Sequence, residues 1–197
     1  MNTIVFFDGQ NIYRSAKDAW RSTASDTYVY TWPSYDVEKL ATTLACQTSG
    51  RKITQIRFYT GVPSQLQNYR WNRFWGEKLK YLESQGIEVY RGKINRHNQE
   101  KGVDVKLAID MIRLTYERQY DVAIILSQDR DFEPAISLAK KIANDQKRQL
   151  LFESHFIIGR ISSSERGIPG TKWMPIDKAT YDACLDAQDY LKSTTTT

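Results

Sequence analysis

Cysteine and histidine are both scarce in this 197-residue sequence, with two residues of each. Cys46 and Cys184 lie far apart and lack the spacing of a metal site, which disfavours both a disulfide-stapled scaffold and a zinc ribbon. Long apolar runs are also missing, because none approaches the roughly 20 residues that a membrane span requires. No basic segment precedes the short apolar run near the start, so a signal peptide is not expected. These absences predict a soluble protein of a reducing compartment, the cytoplasm.

Positive charge is concentrated in one part of the chain. The whole sequence has 28 Lys and Arg against 23 Asp and Glu, for a net charge of +5. Residues 51–101 alone contain 11 basic and 4 acidic residues, a net of +7, which leaves −2 for the remainder. The same segment carries eight aromatic residues: Phe58, Tyr59, Tyr69, Trp71, Phe74, Trp75, Tyr81 and Tyr90. Interleaved cations and aromatic rings suit a single-stranded nucleic acid, although packing of these rings in the core is the competing explanation.

Short β-prone runs alternate with helical patterns along the chain. Strands are predicted at residues 4–7, 53–59, 87–90, 122–126 and 149–152, and helices at residues 12–20, 36–46, 64–84, 103–117 and 132–143. Residues 21–34, 91–101 and 162–171 are predicted to be loops. This alternation predicts an α/β fold with a mostly parallel sheet of about five strands and helices on both faces. We expect one domain over residues 1–152 and a C-terminal extension over 153–197 that packs on it and frays at its end.

Aspartates follow or precede the elements that should meet at one edge of this sheet. Asp8 follows the first strand, Asp129 and Asp131 follow the fourth, and Asp104 begins the helix before it. Ligands of open α/β sheets bind at the carboxyl ends of the strands. Crowded carboxylates repel one another unless a cation lies among them, and Mg²⁺ prefers oxygen ligands. Such an ion can activate a water molecule and neutralise charge on a phosphate, so these four aspartates are candidate catalytic and metal-binding residues.

Each of these aspartates has a simpler explanation when taken alone. An aspartate at a strand end or helix start often caps the helix or forms a turn. The coincidence at three separate points of the predicted sheet edge favours a shared site. Asp110 lies six positions after Asp104, about 240° around the helix, and is therefore expected to be a supporting or structural residue. Neither His97 nor His155 is placed as an obvious general base.

Three segments of the chain are IVFFDGQNIY, KGVDVKLAIDM and DVAIILSQDRDFEPAISLAKK. Together they resemble the NYN domain, a PIN-like nuclease fold, in the branch of the bacterial LabA-like proteins. The resemblance covers roughly residues 3–152. It implies a PIN-like three-layer fold and a ribonuclease site that uses Mg²⁺ or Mn²⁺. The positions that match the family's site are Asp8, Asn11, Asp104, Asp110, Asp129 and Asp131. The turn after the fourth strand departs from the family, since Gln128 and Arg130 stand where glycine and a small residue are usual.

The sequence therefore predicts a metal-dependent ribonuclease that cleaves single-stranded or structured RNA. Asn11 and Ser127 would support the site, and Arg91, Lys93, Arg96, Lys101 and Arg130 would contact phosphates. The alternative is a catalytically weak or inactive module of the same fold that binds RNA or protein. A phosphatase of the haloacid dehalogenase type is disfavoured because Gln10 stands where its second aspartate is required, and a toprim-like nuclease because Asp8 replaces the expected glutamate. A homodimer is left open.

Overall fold

The computed structural model describes residues 1–21, 29–97, 99–159 and 166–192. Within these residues a single sheet has seven strands in the order β4-β3-β2-β1-β5-β6-β7, all parallel except β4. The strands are β1 (Asn2–Asp8), β2 (Lys52–Val62), β3 (Glu88–Ile94), β4 (Glu100–Lys101), β5 (Val122–Leu126), β6 (Leu151–Ile157) and β7 (Lys172–Ile176). The helices are α1 (Gly9–Trp20), α2 (Val37–Cys46), α3 (Tyr69–Ser84), α4 (Val103–Tyr116), α5 (Glu133–Asp145) and α6 (Lys178–Ala183).

The central strands β1 and β5 are apolar along their length because both faces of the sheet are covered. On β1, Val5 and Phe7 pack with α1, α2, α3 and α6, whereas Ile4 and Phe6 pack with α4 and α5. The alternation of side chains along a strand thus divides the interior into two cores, one on each face. This arrangement of helix layer, sheet and helix layer confirms the predicted three-layer α/β fold.

Two predicted elements differ from the structure. Helix α3 begins at Tyr69 rather than near Ser64, because Asn68 caps it by accepting a hydrogen bond from the backbone N–H of Trp71 at 3.1 Å. Ser64 instead closes the preceding turn. The stretch 91–101 is not a simple loop, since β3 continues to Ile94 and pairs with β4 as an antiparallel hairpin. The Asn95 side chain accepts hydrogen bonds from two backbone N–H groups within that hairpin.

The C-terminal residues extend the sheet and the core. Strand β6 runs across residue 152, so the predicted boundary at that residue falls inside a strand. Strand β7 pairs with β6, and Ile176 and Tyr181 join the core that contains α1 and α2. The predicted frayed tail at 193–197, and parts of the loops at 21–34 and 162–171, lie outside the described residues. Among the described residues, no helix is both long and apolar enough to cross a membrane.

A buried ion pair ties the residue before β2 to the far half of the sheet. The Arg51 guanidinium donates two hydrogen bonds to the Glu153 carboxylate, at 2.7 and 2.5 Å, and both side chains are less than 5% exposed. Burial alone raises the pKa of Glu153, but hydrogen bonds to His155 and Arg51 outweigh it and lower the pKa to about 2. Because removal of one partner leaves a buried charge unpaired, this pair is expected to be costly to break.

We expect Glu153→Gln to lower the free energy of unfolding by about 3–5 kcal/mol, because it leaves the Arg51 charge buried without its partner. The exposed Glu83–Arg91 pair offers a matched control, and Glu83→Gln should cost less than about 1 kcal/mol. The difference in free energy of unfolding between the parent and Glu153→Gln should be largest above pH 4.5, the ordinary pKa of glutamate, and should decrease as the pH falls towards 2. Denaturant unfolding at several pH values measures both effects. Equal losses in the two variants would contradict the assignment.

Candidate active site

Asp8 stands at the junction of β1 and α1. Its carboxylate caps α1 by accepting a hydrogen bond from the backbone N–H of Asn11 at 3.1 Å, and it accepts a second from the Ser127 hydroxyl at 3.0 Å. The side chain is buried. Gly9, the next residue, packs directly against the Phe58 ring, because a Cβ atom there would lie 2.6 Å from it. Asp8 is therefore both a helix cap and a carboxylate at the sheet edge.

Two side chains join the turn after β5 to the end of β1 and the start of α1. The Ser127 hydroxyl, which donates to Asp8, accepts a hydrogen bond from the backbone N–H of Asp129 at 3.1 Å. The Asn11 side-chain oxygen accepts one from the backbone N–H of Gln128 at 3.2 Å. Asn11 and Ser127 thus hold the ends of the two central strands together and place Asp129 beside Asp8.

The start of α4 brings Asp104 to the same edge from the other side. Gly102 has a left-handed backbone conformation, with φ of 79°, and α4 begins at the next residue. Asp104 lies in the first turn of α4, and it is Gly102, not Asp104, that occupies the cap position. The capping explanation for Asp104 is therefore wrong.

Glu100 is a member of the site that the sequence analysis missed. It lies on β4, and its carboxylate accepts a hydrogen bond from the backbone N–H of Gly61 on β2. Gly61 has no side chain to block this approach, since a Cβ atom there would lie 2.5 Å from Glu100 Oε1. The sequence offers one indication that Glu100 belongs to the site: it is an acidic residue four positions before Asp104, in a stretch that is otherwise basic.

These segments enclose one cavity of about 280 Å³ at the carboxyl ends of the central strands. Its lining residues are Asp8, Gln10, Asn11, Arg14, Ser15, Asp18, Glu100, Asp104 and Asp129. Three of the four predicted aspartates thus share a cavity, joined by Glu100. Arg14 and Asp18 were also missed; their spacing of three and seven positions from Asn11 places all three on one face of α1. That spacing could have identified them.

Burial, with mutual repulsion added to it, raises the pKa values of three carboxyls in the cavity. Burial, reinforced by the charges of Glu100 and Asp104, raises the pKa of Asp8 to about 7, against the opposing hydrogen bonds from Asn11 and Ser127. Burial also raises the pKa of Glu100 and of Asp104, and Asp129 and Asp131 add to the effect at Asp104. Arg14 lowers the pKa of both Glu100 and Asp104 and is the cation that lines the cavity. A cluster of this kind favours an added cation.

The donor chemistry fits Mg²⁺ or Mn²⁺, because five carboxylates line one cavity, those of Asp8, Asp18, Glu100, Asp104 and Asp129, and both ions prefer oxygen ligands. The predicted ligand set is nevertheless not assembled. In the part of the chain that the structure describes, no three Asp, Glu, His or Cys side chains are grouped so that they could hold one metal ion. Asp131 is exposed and does not line the cavity, and its backbone N–H donates to the Asp129 carboxylate at 2.9 Å. A bound ion would therefore require carboxylates to change rotamer.

Asp110 lies outside the cavity, on the side of α4 that faces the sheet. Its buried carboxylate accepts hydrogen bonds from Lys106 at 2.5 Å, Tyr59 at 2.9 Å and Arg57 at 3.2 Å. These contacts bind α4 to β2. The residue therefore belongs to a structural ion-pair network that is separate from the candidate site.

The predicted phosphate-binding residues lie outside the cavity as well. Arg91 pairs with Glu83 at 2.5 and 2.7 Å, so its guanidinium is engaged by α3. The other four, Lys93, Arg96, Lys101 and Arg130, are exposed. The aromatic residues of the same segment divide between roles: Phe58, Tyr59, Phe74 and Trp75 are buried in the cores, whereas Tyr69 is 64% exposed. Trp71 and Tyr90 are partly buried and pack against the cores, so the core explanation is correct for six of the eight aromatic residues.

The comparisons agree with the resemblance seen in the sequence. The NYN domain family model matches residues 2–148, and the chain belongs to this family. The match does not identify a branch within it. No curated protein matches the chain in sequence. A crystal structure of a protein of unknown function from Vibrio parahaemolyticus is similar in fold, with a TM-score of 0.57 and 16% identity over 90% of this chain and 93% of that one.

We expect Asp8→Asn to stabilise the protein in the absence of divalent ions. The folded state holds the Asp8 proton up to about pH 7, above the ordinary pKa of 3.8, so the ionised carboxylate costs stability increasingly between those values and fully above pH 7. The amide carries no charge and still caps α1. Thermal unfolding in EDTA at pH 8 should therefore show a higher Tm for the variant, and the difference should vanish near pH 4. Asp131→Asn, at an exposed position, is the control, and a lower Tm for Asp8→Asn would show that its carboxylate is stabilising.

Proposed function

We propose that this protein is an endoribonuclease that depends on Mg²⁺ or Mn²⁺ and hydrolyses RNA phosphodiester bonds at the carboxylate cavity. The observation that carries the proposal is the convergence of Asp8, Glu100, Asp104 and Asp129, from three separate chain segments, on one cavity at the carboxyl edge of the sheet. Structural caps need no such convergence. Membership of the NYN family, whose fold is that of PIN-like nucleases, agrees with it.

Asp8, Glu100, Asp104 and Asp129 would hold the divalent ion. When bound, the ion would lower the pKa of an attacking water molecule and neutralise negative charge on the phosphate. Asn11 and Ser127 position Asp8 and Asp129 through the hydrogen bonds that join β1 to the turn after β5. Arg14, on the cavity wall, would contact a phosphate oxygen, a role for which guanidinium geometry is suited.

The RNA backbone would continue from the cavity across the β3–β4 hairpin. Lys93 and Lys101 are paired in register on the two strands, and Arg96 lies in the turn between them. All three side chains are exposed, so they are free to follow a flexible phosphate chain. Arg91 is a weaker candidate than the sequence suggests, because Glu83 already neutralises it.

We expect cleavage of a single-stranded RNA to require Mg²⁺ or Mn²⁺ and to stop in EDTA. Asp8→Asn and Asp129→Asn should each reduce the rate by roughly 100-fold or more, the scale of losing one electrostatic group in an active site. Asp131→Asn removes an equal charge outside the cavity and should retain most of the activity. Full activity of Asp8→Asn, with the metal requirement unchanged, would remove this residue from the site.

The salt dependence of RNA binding tests the path across the hairpin. Replacing Lys93 and Arg96 together by Gln should reduce the slope of log K against log salt by about 0.7 for each phosphate that the protein no longer neutralises. Arg91→Gln is the matched control, and it should leave the slope nearly unchanged because Glu83 already pairs with that guanidinium. Fluorescence anisotropy with a labelled single-stranded RNA over a range of KCl concentrations gives the slopes. Parent-like slopes in the double variant would place the RNA elsewhere.

A second candidate function is an RNA- or protein-binding module without catalysis. It is favoured by the absence, among the described residues, of any three metal-binding side chains grouped to hold one ion. In that case Arg14 would supply the positive charge that a nuclease obtains from its metal. The cleavage series distinguishes the two functions, because a binding module would bind RNA equally well in EDTA and in Mn²⁺ and would release no products.

A further inference from the structure

A second cavity, of about 290 Å³, adjoins the carboxylate cavity. The two share Gln10 and Arg14 on their walls, so these residues form the boundary between them. The remaining residues that line the second cavity are Tyr13, Pro63, Gln67, Asn68, Trp71, Trp75 and Ile94. We refer to it as the aromatic cavity. It lies between α1, the start of α3 and the end of β3.

The walls of the aromatic cavity are held rigidly by ring packing. Trp71 is stacked on Trp32, with ring centroids 4.6 Å apart and planes 29° apart. Tyr13 contacts Trp71 at 5.7 Å and donates a hydrogen bond to the Thr31 carbonyl at 2.7 Å. Trp71 remains only half-buried despite these contacts. A flat ligand that entered would thus meet aromatic surface already fixed in place, which reduces the entropy lost on binding.

Side-chain amides accompany the rings. Gln67 is oriented by two hydrogen bonds from its Nε2 to the carbonyls of Ile94 and Asn95, at 3.2 and 3.1 Å. Asn68 is oriented by its role as the cap of α3. Gln10 sits at the boundary with the carboxylate cavity. The Gln67 amide is already engaged, because its oxygen also accepts a hydrogen bond from the backbone N–H of Ser64 at 2.9 Å. The Gln10 amide and the side-chain NH₂ of Asn68 supply the donors and acceptors that recognise the edge of a nucleobase.

We propose that the aromatic cavity binds one unpaired nucleobase of a single-stranded RNA, and that Arg14 contacts the phosphate that joins this nucleotide to the one in the carboxylate cavity. The inference rests on the proposed function, since the RNA is the substrate assigned there. An unpaired base can enter because its faces and edges are free, whereas a base inside a duplex presents neither to a cavity of this kind. The volume lies just below the roughly 300–1,000 Å³ typical of pockets for drug-sized ligands, which suits a single base.

The site draws two of its aromatic residues, Trp71 and Trp75, from the basic segment. Trp71 lines the cavity and is only half-buried, while the β3–β4 hairpin carries the exposed cations. Stacking against an aromatic ring tolerates any base, because every base has a π-face. The substrate class is therefore single-stranded RNA with weak sequence preference at this position, and the specificity is for an unpaired nucleotide.

The base site is tested by comparing the binding of two oligomers. One is an oligoadenylate of eight nucleotides, and the other is a ribose–phosphate oligomer of the same length that lacks all bases. Both carry a fluorescein label, and binding is measured by anisotropy in EDTA so that no cleavage occurs. Trp71→Leu should weaken binding of the oligoadenylate by roughly 5- to 100-fold, the range for removal of one stacking partner, and leave binding of the abasic oligomer unchanged. Trp71→Phe should restore much of the affinity.

Trp173→Leu is the matched control, since Trp173 is 45% exposed on β7 at the opposite edge of the sheet. It should alter neither affinity. Gln10→Leu provides an independent variant should Trp71→Leu fail to fold, and it should weaken only the oligoadenylate. Equal weakening for both oligomers, or none for either, in the folded variants would overturn the base site.

The experiments distinguish a wrong assignment of the base site from a wrong assignment of nuclease activity. RNA cleavage in Mn²⁺ by a Trp71→Leu protein with parent-like affinity would retain the nuclease and remove the base site. Selective weakening of oligoadenylate binding in a protein that cleaves no RNA would retain the base site and remove the nuclease. Absence of binding to either oligomer by the parent protein would overturn the base site.

Discussion

The site depends on the hydrogen bonds that join the end of β1 to the turn after β5. The Ser127 hydroxyl links the Asp8 carboxylate to the backbone of Asp129, and Asn11 binds the backbone of Gln128. A buried carboxylate without such partners would cost far more than these few contacts return. The neighbouring central strands therefore end together, and α1 and α5 begin at the edge where they end. The rest of the cavity is built around this fixed pair of strand ends.

Because the two strand ends are held together, their carboxylates are crowded into one cavity, and this crowding favours the binding of positive charge. Asp8 cannot escape into solvent because it caps α1, and Glu100 cannot because its carboxylate is bound to the Gly61 backbone. Burial and the charge of Glu100 therefore raise the pKa of Asp8, and Arg14 offsets only part of the increase that burial causes in the pKa of Glu100. Such a site is poised for a cation or for the positive groups of a ligand. Arg14 also lies on the wall of the aromatic cavity, so one residue serves both halves of the proposed RNA site.

Much of the architecture was predictable from local pattern. The apolar runs at residues 4–7 and 122–126 are continuous because these strands are covered on both faces, and Asp36 caps α2 as its position before a helical pattern suggests. Short elements that form only by pairing with another strand were missed. Strand β4 has two residues and no β-prone run, and it forms because Lys93 and Ile94 supply its partners. Strand β7 likewise forms by pairing with β6.

The sequence by itself determined the α/β class, the family and the placement of Asp8, Asp104 and Asp129 near one sheet edge, because strand ends and helix starts are local features with a known direction. Only the tertiary structure decided which charges share the cavity. It brought in Glu100 through a contact with Gly61, 39 residues away, and left Asp131 exposed and Asp110 in a separate ion-pair network. It also paired Arg91 with Glu83, which no spacing within the hairpin could reveal. Contacts of this kind arise when separate helices and strands pack against one another, and the periodicity within one element contains no information about them.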